Sequence, residues 1–315
     1  MTLRKKDHGG GLDAAADRYG GIRADWIDLS TGINPVAYPV PTLPADAWTA
    51  LPDTAAQHAL SAAARRFWRI PDAAAVLATP GASAPIAMIP SLRPAASVQI
   101  ATPTYNEHAA AFAQAGWRTA SDPAEAGAQV IVHPNNPDGR IFSADDLHAP
   151  LQIIDESFCD VMPRASLIAR AEQGNTLILK SFGKFWGLAG LRLGFVIGTC
   201  ELVSDLAAML GPWPVAGPAI EIGTRALNDP EWAARTRTRL VTDAAHLDGL
   251  FCSAGAEPLG GTTLFRLYNV ADAVQWQDRL ARHHIWTRVF PYNPRWLRIG
   301  LPPPHGWNRL ESALA

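Results

Sequence analysis

Short apolar runs rich in Val, Ile and Leu recur along most of the chain and alternate with segments of helical spacing. The runs show little polar alternation, which is typical of strands buried on both faces of a parallel sheet. The predicted strands are Ala75–Ala78, Ser97–Ala101, Gln129–His133, Leu151–Asp155, Thr176–Leu179 and Leu193–Ile197. The predicted helices between them are Ala82–Ile89, Glu107–Ala115, Ser143–Leu147 and Arg164–Glu172. This alternation predicts an α/β domain with a mainly parallel sheet.

The pattern changes near Gly211, where Gly and Pro residues form a turn-rich connector over 211–218. The elements predicted after it are a long helix at Glu231–Phe251, a second helix near Ala271–His283, and strands at Thr263–Tyr268, Ile285–Val289 and Trp296–Gly300. These elements predict a smaller α+β C-terminal domain. We therefore divide the chain into an N-terminal arm (1–40), a large α/β domain (41–210) and a small domain (211–315).

One stretch, Ala73–Leu92, contains no charged residue and is long enough to suggest a membrane span. It also contains Pro80, Pro85 and Pro90, which break the continuous helix that a bilayer demands. The N-terminal sequence MTLRKKDHGGG has basic residues but no apolar stretch behind them, so it does not resemble a signal peptide. The sequence therefore predicts a cytoplasmic protein without a membrane partner.

Composition narrows the function classes further. Hydrophobic residues make up 48% of the 315 residues, which excludes a disordered chain. The net charge of −2 does not favour a nucleic-acid partner. Cys159, Cys200 and Cys252 are far apart and lack CxxC spacing, which indicates reduced thiols. No HExxH, GxGxxG or GxSxG motif is present, and we predict no metal site.

Lys184 lies in the segment Lys180–Gly194, which directly follows a predicted strand. A lysine among glycines and aromatic residues at a strand end can be desolvated, which lowers its pKa and allows it to form a Schiff base. From the residues alone, a solvated loop lysine is the alternative. The segment resembles the lysine segment of fold-type I pyridoxal-phosphate (PLP) enzymes, the aminotransferase superfamily. That resemblance implies that Lys184 binds the cofactor covalently, and that Ser181 and Arg192 bind its phosphate.

Gly81, Ala82 and Ser83 lie between a predicted strand and the start of a predicted helix. Backbone N–H groups and the dipole at a helix start can hold a phosphate, and the matching turn of the family does so. Tyr105 follows the next predicted strand. The resemblance makes it the candidate for the aromatic ring over the cofactor's pyridine ring, with an ordinary core tyrosine as the alternative.

Two further polar residues follow predicted strands. Asn136 lies in HPNNPDGR (133–140), which resembles the NPxNPTG loop of the family but would otherwise indicate a tight turn. The resemblance implies a hydrogen bond from Asn136 to the cofactor's phenolic oxygen. It also implies that Asp155 pairs with the pyridine nitrogen and keeps it protonated. A helix N-cap or a surface acid is the alternative for Asp155.

The N-terminal sequence narrows the choice of enzyme. His8-Gly9-Gly10 and the string WIDLSTGINP (26–35) resemble the opening of threonine-phosphate decarboxylases of cobalamin biosynthesis. These enzymes convert L-threonine O-3-phosphate to (R)-1-amino-2-propanol phosphate. Phe158 fits the resemblance, because aminotransferases usually have tyrosine there. The substrate-binding candidates that the resemblance implies are His8, Gly32, Asn34, Asn136 and Arg298.

The resemblance implies an aspartate aminotransferase-like fold, with Lys184, Asp155 and Tyr105 as the catalytic candidates. It also implies a homodimer with the active site at the subunit interface. Leu51 departs from the family, because relatives have a tyrosine there that reaches the partner's cofactor phosphate. A histidinol-phosphate or related amino-acid aminotransferase is one alternative, since it shares nearly all these residues. A low-activity PLP-fold subunit that binds a cobalamin-pathway partner is the second, and Leu51 favours it.

Overall fold

The computed structural model describes residues 8–315 of the chain. Contacts divide the chain into two compact units. One unit contains the residues up to Val36 together with Arg237–Ala315, and the other contains Ala37–Thr236. The domain boundaries at 40 and 210 stay a prediction.

The helices and strands follow one another in a mixed α/β order. The helices are α1 Leu12–Tyr19, α2 Asp46–Thr49, α3 Thr54–Trp68, α4 Ser83–Met88, α5 Asn106–Gln114, α6 Cys200–Leu210, α7 Gly217–Leu227, α8 Pro230–Ser253, α9 Ala273–Ala281 and α10 Trp307–Leu314. The strands are β1 Ile27–Asp28, β2 Ala75–Thr79, β3 Ser97–Ile100, β4 Arg118–Thr119, β5 Ala128–Val132, β6 Leu151–Asp155, β7 Asn175–Ser181, β8 Gly194–Gly198, β9 Glu257–Thr262, β10 Phe265–Asn269, β11 Ile285–Trp286, β12 Arg288–Phe290 and β13 Asn293–Gly300.

A seven-stranded sheet in the order β2-β8-β7-β6-β5-β3-β4 forms the centre of the unit Ala37–Thr236. β8 is antiparallel to both of its neighbours, and the other pairs are parallel. The carboxyl ends of β2, β3, β5, β6 and β7 therefore meet at one edge of the sheet, and β8 begins at that edge. β5 and β8 are buried along their whole length, as their apolar sequences predict. The expected α/β fold with a mainly parallel sheet is confirmed.

Helix α3 illustrates why this sequence forms helices around the sheet. The Asp53 side chain accepts a hydrogen bond from the Ala56 N–H (2.9 Å) and so caps a free backbone donor at the helix start. The helix buries Leu60, Ala64 and Trp68, which recur every four residues on one face. It therefore presents a continuous apolar stripe, and it packs against β2 and α7.

The other unit contains a separate antiparallel sheet in the order β12-β13-β10-β9 and a short parallel pair, β1 with β11. The β12–β13 register places Arg288 opposite Arg298. Helix α9 is capped by Asp272, whose side chain accepts from the N–H groups of Val274 and Gln275. The predicted strand Ile285–Val289 is divided in two at Thr287, between β11 and β12.

Two predicted helices are wrong. Ser143–Leu147 is only a 3₁₀ turn, Ala144–Asp146, and the Asp146 carbonyl accepts from the Gln129 side chain instead of a helical N–H. Arg164–Glu172 forms two short 3₁₀ turns. The Leu167 N–H donates to the Glu156 carboxylate (2.6 Å), so an internal side chain takes a donor that a helix would need.

The uncharged stretch Ala73–Leu92 contains β2, a turn and α4, followed by a 3₁₀ turn at Ile89–Leu92. Pro90 lies at the start of that 3₁₀ turn, where proline is tolerated. Among residues 8–315, no helix combines the length and the apolar character that crossing a membrane requires.

Candidate active site

A pocket opens at the edge where the parallel strands end, the usual ligand position in open α/β sheets. All its lining residues belong to the unit Ala37–Thr236. They are Ala82, Ser83, Ile86, Tyr105, Val132, Asn136, Asp155, Ser157, Phe158, Ser181, Gly183, Lys184, Ala189 and Arg192. The structure thus gathers around this pocket predicted cofactor contacts from five separate parts of the sequence, and Gly81 directly precedes the lining residue Ala82.

Lys184 is held in a tight loop between β7 and β8. The Phe182 N–H donates to the Leu193 carbonyl (3.0 Å), and the Leu188 N–H donates to the Phe182 carbonyl (3.2 Å). The Lys184 ammonium lies 5.1 Å from the centre of the Phe158 ring, over its face. The loop therefore presents the amine to the pocket beside an apolar ring.

Asp155 ends β6, and both oxygens of its carboxylate have hydrogen-bond partners. Its Oδ1 accepts from the Ser157 hydroxyl (2.5 Å) and the Ser157 N–H (3.0 Å), and its Oδ2 lies 2.9 Å from His108 Nε2. Burial alone would raise the pKa of the Asp155 carboxyl. The contacts with His108 and Ser157 outweigh this effect, so the pKa lies below its ordinary value. Asp155 is therefore an anion at neutral pH, as a partner for a protonated ring nitrogen must be.

A second part of the pocket suits an anion. It is lined by the guanidinium of Arg192 and the hydroxyl groups of Ser181 and Ser83. Arg192 lies directly before β8, and its guanidinium packs on Gly81. A Cβ at Gly81 would lie 2.6 Å from Arg192 Nη2, and its φ of +75° also favours glycine. Planar guanidinium with hydroxyl donors is the chemistry that binds phosphate oxygens.

Tyr105 and Asn136 enter the pocket from two loops that are bonded together by Asn135. The Asn135 side chain accepts from the Thr104 hydroxyl (2.6 Å) and donates to the Pro103 carbonyl (2.9 Å). Burial, followed by the negative charges of Glu107 and Asp155, raises the pKa of Tyr105 to about 12. Tyr105 therefore stays a neutral phenol throughout the physiological range.

These groups fit PLP by the chemistry of the donor set. Lys184 provides an amine for the aldehyde, Asp155 an anion for the pyridine nitrogen, and the Arg192 cradle a site for the phosphate dianion. Tyr105 offers a ring for stacking and Asn136 an amide for the phenolic oxygen. The pocket thus contains a partner of suitable chemistry for each functional group of the cofactor.

The remaining substrate candidates lie in the other unit, and Arg298 contacts the N-terminal stretch there. Arg298 Nη2 donates to the Ser30 carbonyl (2.6 Å), and the Ser30 hydroxyl accepts from the Gly10 N–H (2.6 Å). Gly32 is buried two residues further along. Asn34 Oδ1 accepts from Arg239 Nη2 (2.5 Å). The N-terminal stretch and strand β13, distant in sequence, therefore form one cluster.

His108, Ser157 and Arg288 are among the residues with contacts in these sites that the sequence did not reveal. His108 lies three residues after Tyr105 on α5, so helical spacing could have found it. Arg288 lies opposite Arg298 across β12 and β13, and its Nη1 donates to the His8 carbonyl (3.2 Å). Burial and the nearby charge of Arg288 lower the pKa of Arg298 to about 10. No local signal marks Arg288, because its neighbour is defined only by strand register.

The fold and the pocket together define a class of PLP-dependent enzymes, and the comparison with family models agrees. The chain belongs to the aminotransferase class I and II family, whose model matches residues 24–314. Family membership confirms the predicted fold and cofactor. Threonine-phosphate decarboxylase from Sinorhizobium sp is 41% identical over 326 residues, covering 98% of this chain and 97% of that protein. The enzyme of the same name from Pseudomonas aeruginosa is 39% identical over 327 residues, with the same coverage.

Solved structures show the same fold at low sequence identity. Histidinol-phosphate aminotransferase from Sinorhizobium meliloti, in complex with pyridoxal-5'-phosphate, has a TM-score of 0.81 at 19% identity and covers 97% of this chain and 93% of that chain. L-threonine-O-3-phosphate decarboxylase from Porphyromonas gingivalis has a TM-score of 0.73 at 18% identity, covering 91% and 97%. Both likenesses concern the fold alone.

Proposed function

We propose that this protein decarboxylates L-threonine O-3-phosphate to (R)-1-amino-2-propanol phosphate with PLP as cofactor, a step in cobalamin biosynthesis. The observation that carries the proposal is the identity of 41% and 39%, over nearly the whole chain, to two threonine-phosphate decarboxylases. Histidinol-phosphate aminotransferases match at lower identity, for example 29% over 82% of the chain. The pocket chemistry suits both reactions, so the relatives decide between them.

The residues of the pocket divide the work of this reaction. Bound PLP supplies an electron sink for the electron pair of the broken bond between Cα and the carboxylate. The ionised Asp155 holds the proton on the ring nitrogen that makes this sink effective. Lys184 Nζ delivers a proton to the carbon that lost the carboxylate, so that one proton is consumed for each carbon dioxide released. Phe158 adds an apolar wall beside that amine.

The two arginines at one register of β12 and β13 suit a substrate with two anionic groups. Arg298 is buried and already tied to the Ser30 carbonyl, which fixes its direction. We assign Arg298 to the substrate carboxylate. We assign Arg288, with His8, Gly32 and Asn34, to the substrate phosphate, because that dianion needs a second cation and hydrogen-bond donors. Asn136, which lines the pocket, would donate a hydrogen bond to the cofactor's phenolic oxygen and is also a candidate for contact with the substrate.

The protein is further proposed to be a cytoplasmic homodimer. Several large apolar side chains of the unit Ala37–Thr236 are exposed, among them Trp48 (70%), Leu51 (67%) and Trp213 (51%). The segments of Trp48 and Trp213 are close, because a Cβ at Gly217 would lie 2.3 Å from the Ala47 carbonyl oxygen. Exposed apolar surface of this kind is typical of protein interfaces. A second copy of the chain is the occupant we propose.

The decisive experiment incubates the PLP-loaded protein with L-threonine O-3-phosphate in the absence of any keto acid. We expect stoichiometric release of carbon dioxide and a phosphorylated amino alcohol. Histidinol phosphate with a keto acid is the matched control and should not turn over at a comparable rate. Amino transfer to the keto acid, without carbon dioxide, would favour the aminotransferase instead.

The role of Lys184 is tested separately by spectroscopy. The purified protein should show a visible absorbance band that borohydride abolishes, because the lysine-bound cofactor is reduced. Lys184→Ala removes the amine and should remove the band. Survival of the band in this variant would assign the covalent link to another residue.

A further inference from the structure

A buried cluster of charges lies beside the pocket and has no part in the chemistry described above. We name it the lysine network and define it by Lys180, Glu156 and Asp160. Lys180 is 1% exposed, and its Nζ lies 2.6 Å from Glu156 Oε2 and 3.6 Å from Asp160 Oδ1. Burying three ionisable groups costs desolvation free energy, so a contribution to stability alone does not account for this cluster.

Glu156 is bound at both of its oxygens. Oε2 accepts from the Ser166 hydroxyl (2.7 Å) and from Lys180, and Oε1 accepts from the Leu167 N–H (2.6 Å). Burial alone would lower the pKa of Lys180, but the charges of Glu156 and Asp160 outweigh it and the pKa is raised. Lys180 is therefore held as a cation against the Glu156 side chain, both of whose oxygens accept hydrogen bonds.

Asp160 collects donors from two other segments. Oδ1 accepts from the Trp68 indole (2.8 Å), and Oδ2 accepts from the Trp186 indole (3.1 Å). Trp186 lies two residues after Lys184, and its ring stacks on Phe182 at 5.1 Å. Asp160 thus ties the lysine loop to the segment that follows β6.

The network begins where the sheet ends. The last backbone bond between the two segments runs from the Glu156 N–H to the Leu179 carbonyl (2.9 Å). Past this bond no backbone pairing among residues 8–315 holds the two segments, and the side chains of Glu156 and Lys180 join them instead. The residues on either side in sequence, Asp155 and Ser181, line the pocket. Because successive side chains of a strand point to opposite faces, the ion pair lies on one face and the pocket residues on the other.

From this geometry we infer that Lys180 is a positioning residue for the cofactor. By joining β6 to β7 at their ends, it holds the Asp155 carboxylate at a fixed distance from Ser181 and Lys184. The network therefore aligns the partner of the pyridine nitrogen with the partners of the phosphate and the aldehyde. This inference rests on PLP as the cofactor and is independent of the substrate's identity.

A metal site is the competing explanation for the same side chains. One ligand atom from each of His133, Glu156 and Cys159 lies within 4.8 Å of the others. Both ring nitrogens of His133 are engaged, however. Nε2 lies 2.7 Å from the Ala165 carbonyl, and Nδ1 accepts from the Phe142 N–H (3.1 Å). Both oxygens of Glu156 likewise accept hydrogen bonds, so His133 and Glu156 are engaged in holding the surrounding loops.

The test compares cofactor binding in folded variants by titrating the apoprotein with PLP. We expect Lys180→Met to raise the dissociation constant of PLP by about tenfold, because it leaves the carboxylates without their cation. Lys180→Arg keeps the charge and should stay within about threefold. The pH dependence of the visible absorbance band should differ from the parent's in Lys180→Met and match the parent's in Lys180→Arg. A purely structural role of Lys180 would not produce this difference.

Asp248→Asn is the matched control, because Asp248 accepts from Arg266 Nε (3.0 Å) and the Tyr268 hydroxyl (2.7 Å) in the other unit. It should lower thermal stability without changing the dissociation constant of PLP. If Lys180→Met does not fold, two other variants carry the test: Trp68→Phe, which removes one hydrogen bond to Asp160, and Glu156→Gln, which removes the negative charge beside Lys180. Folded variants that bind PLP as tightly as the parent would overturn the inference. Failure of the parent itself to bind PLP would overturn the proposed function instead.

Discussion

Asp155 stays ionised because two neighbours hold its carboxylate from opposite sides. Ser157 occupies one oxygen and His108 the other, and both favour the anion against the effect of burial. The consequence for stability follows from the sign of the shift. A carboxyl whose pKa is depressed by folding contributes stability at neutral pH, and this contribution is lost as the pH falls through the folded-state pKa.

His108→Phe should raise the pKa of Asp155, because it removes the hydrogen bond and charge that counteract the effect of burial on this carboxyl. The acid limb of PLP binding should move to higher pH, with a dissociation constant at neutral pH raised about tenfold. A pH series of PLP titrations measures this shift. His305→Phe, at an exposed position, is the control and should reproduce the parent's profile. An unchanged acid limb in His108→Phe would show that Asp155 does not depend on the histidine.

Tyr105 contributes a ring whose hydroxyl remains protonated, since its pKa is about 12. Tyr105→Phe should therefore bind PLP within about threefold of the parent, whereas Tyr105→Ala should lose about tenfold by removal of the stacking surface. Fluorescence titration with PLP measures both variants. Equal losses in Phe and Ala would assign the contribution to the hydroxyl.

Individual site residues were predictable where a motif fixes both their spacing and their position after a strand. Lys184, Ser181 and Arg192 meet this condition, and the structure places all three around one pocket. Arg288 does not, because its neighbour Arg298 is defined only by strand register. Such contacts exist only after the chain has folded.

Among the elements, the buried strands were the easiest to predict, because β5 and β8 are apolar at nearly every position. The failures were segments in which a side chain competes for backbone groups. Glu156 captures the Leu167 N–H, and Gln129 captures the Asp146 carbonyl, so helical turns are not continued. Helix α7 was missed because Gly217 and Pro218 suggest a connector, although proline in the first turn favours a helix start.

The turn between β2 and α4 depends on a close approach to β8. A Cβ at Gly194 would lie 2.6 Å from the Gly81 carbonyl carbon and 2.7 Å from the Ala82 nitrogen, both of which are backbone atoms. Gly194→Ala should therefore displace this turn and lower the free energy of unfolding by about 1–3 kcal/mol. It should also weaken PLP binding, because Arg192 and Ser83 flank the displaced backbone.

Denaturant unfolding and PLP titration of Gly194→Ala test this expectation together. Gly190→Ala is the control from the same loop, because nothing lies within 4 Å of its added Cβ. We expect near-parental stability in that variant. Equal behaviour of the two variants would refute the steric argument.

For the molecule as a whole, the exposed tryptophans predict self-association through the unit Ala37–Thr236. Trp48→Glu should shift the sedimentation equilibrium from dimer towards monomer, because it places a charge in an apolar contact. Ile22→Glu makes the same change at another exposed apolar position (68%) in the other unit. It should leave the mass unchanged. A parent protein that sediments as a monomer at micromolar concentration would contradict the proposed dimer.

The cofactor groups and the proposed substrate contacts lie in different parts of the chain, which has a consequence for how such enzymes diversify. The groups that suit the cofactor come from one central stretch, and the proposed substrate contacts, Asn136 aside, come from the two ends of the chain. Those ends are joined by the bond from Arg298 to the Ser30 carbonyl and by the pairing of β1 with β11. Substrate preference is thus free to change while the cofactor groups are inherited intact. Recombination between relatives must, however, exchange both ends as a matched set.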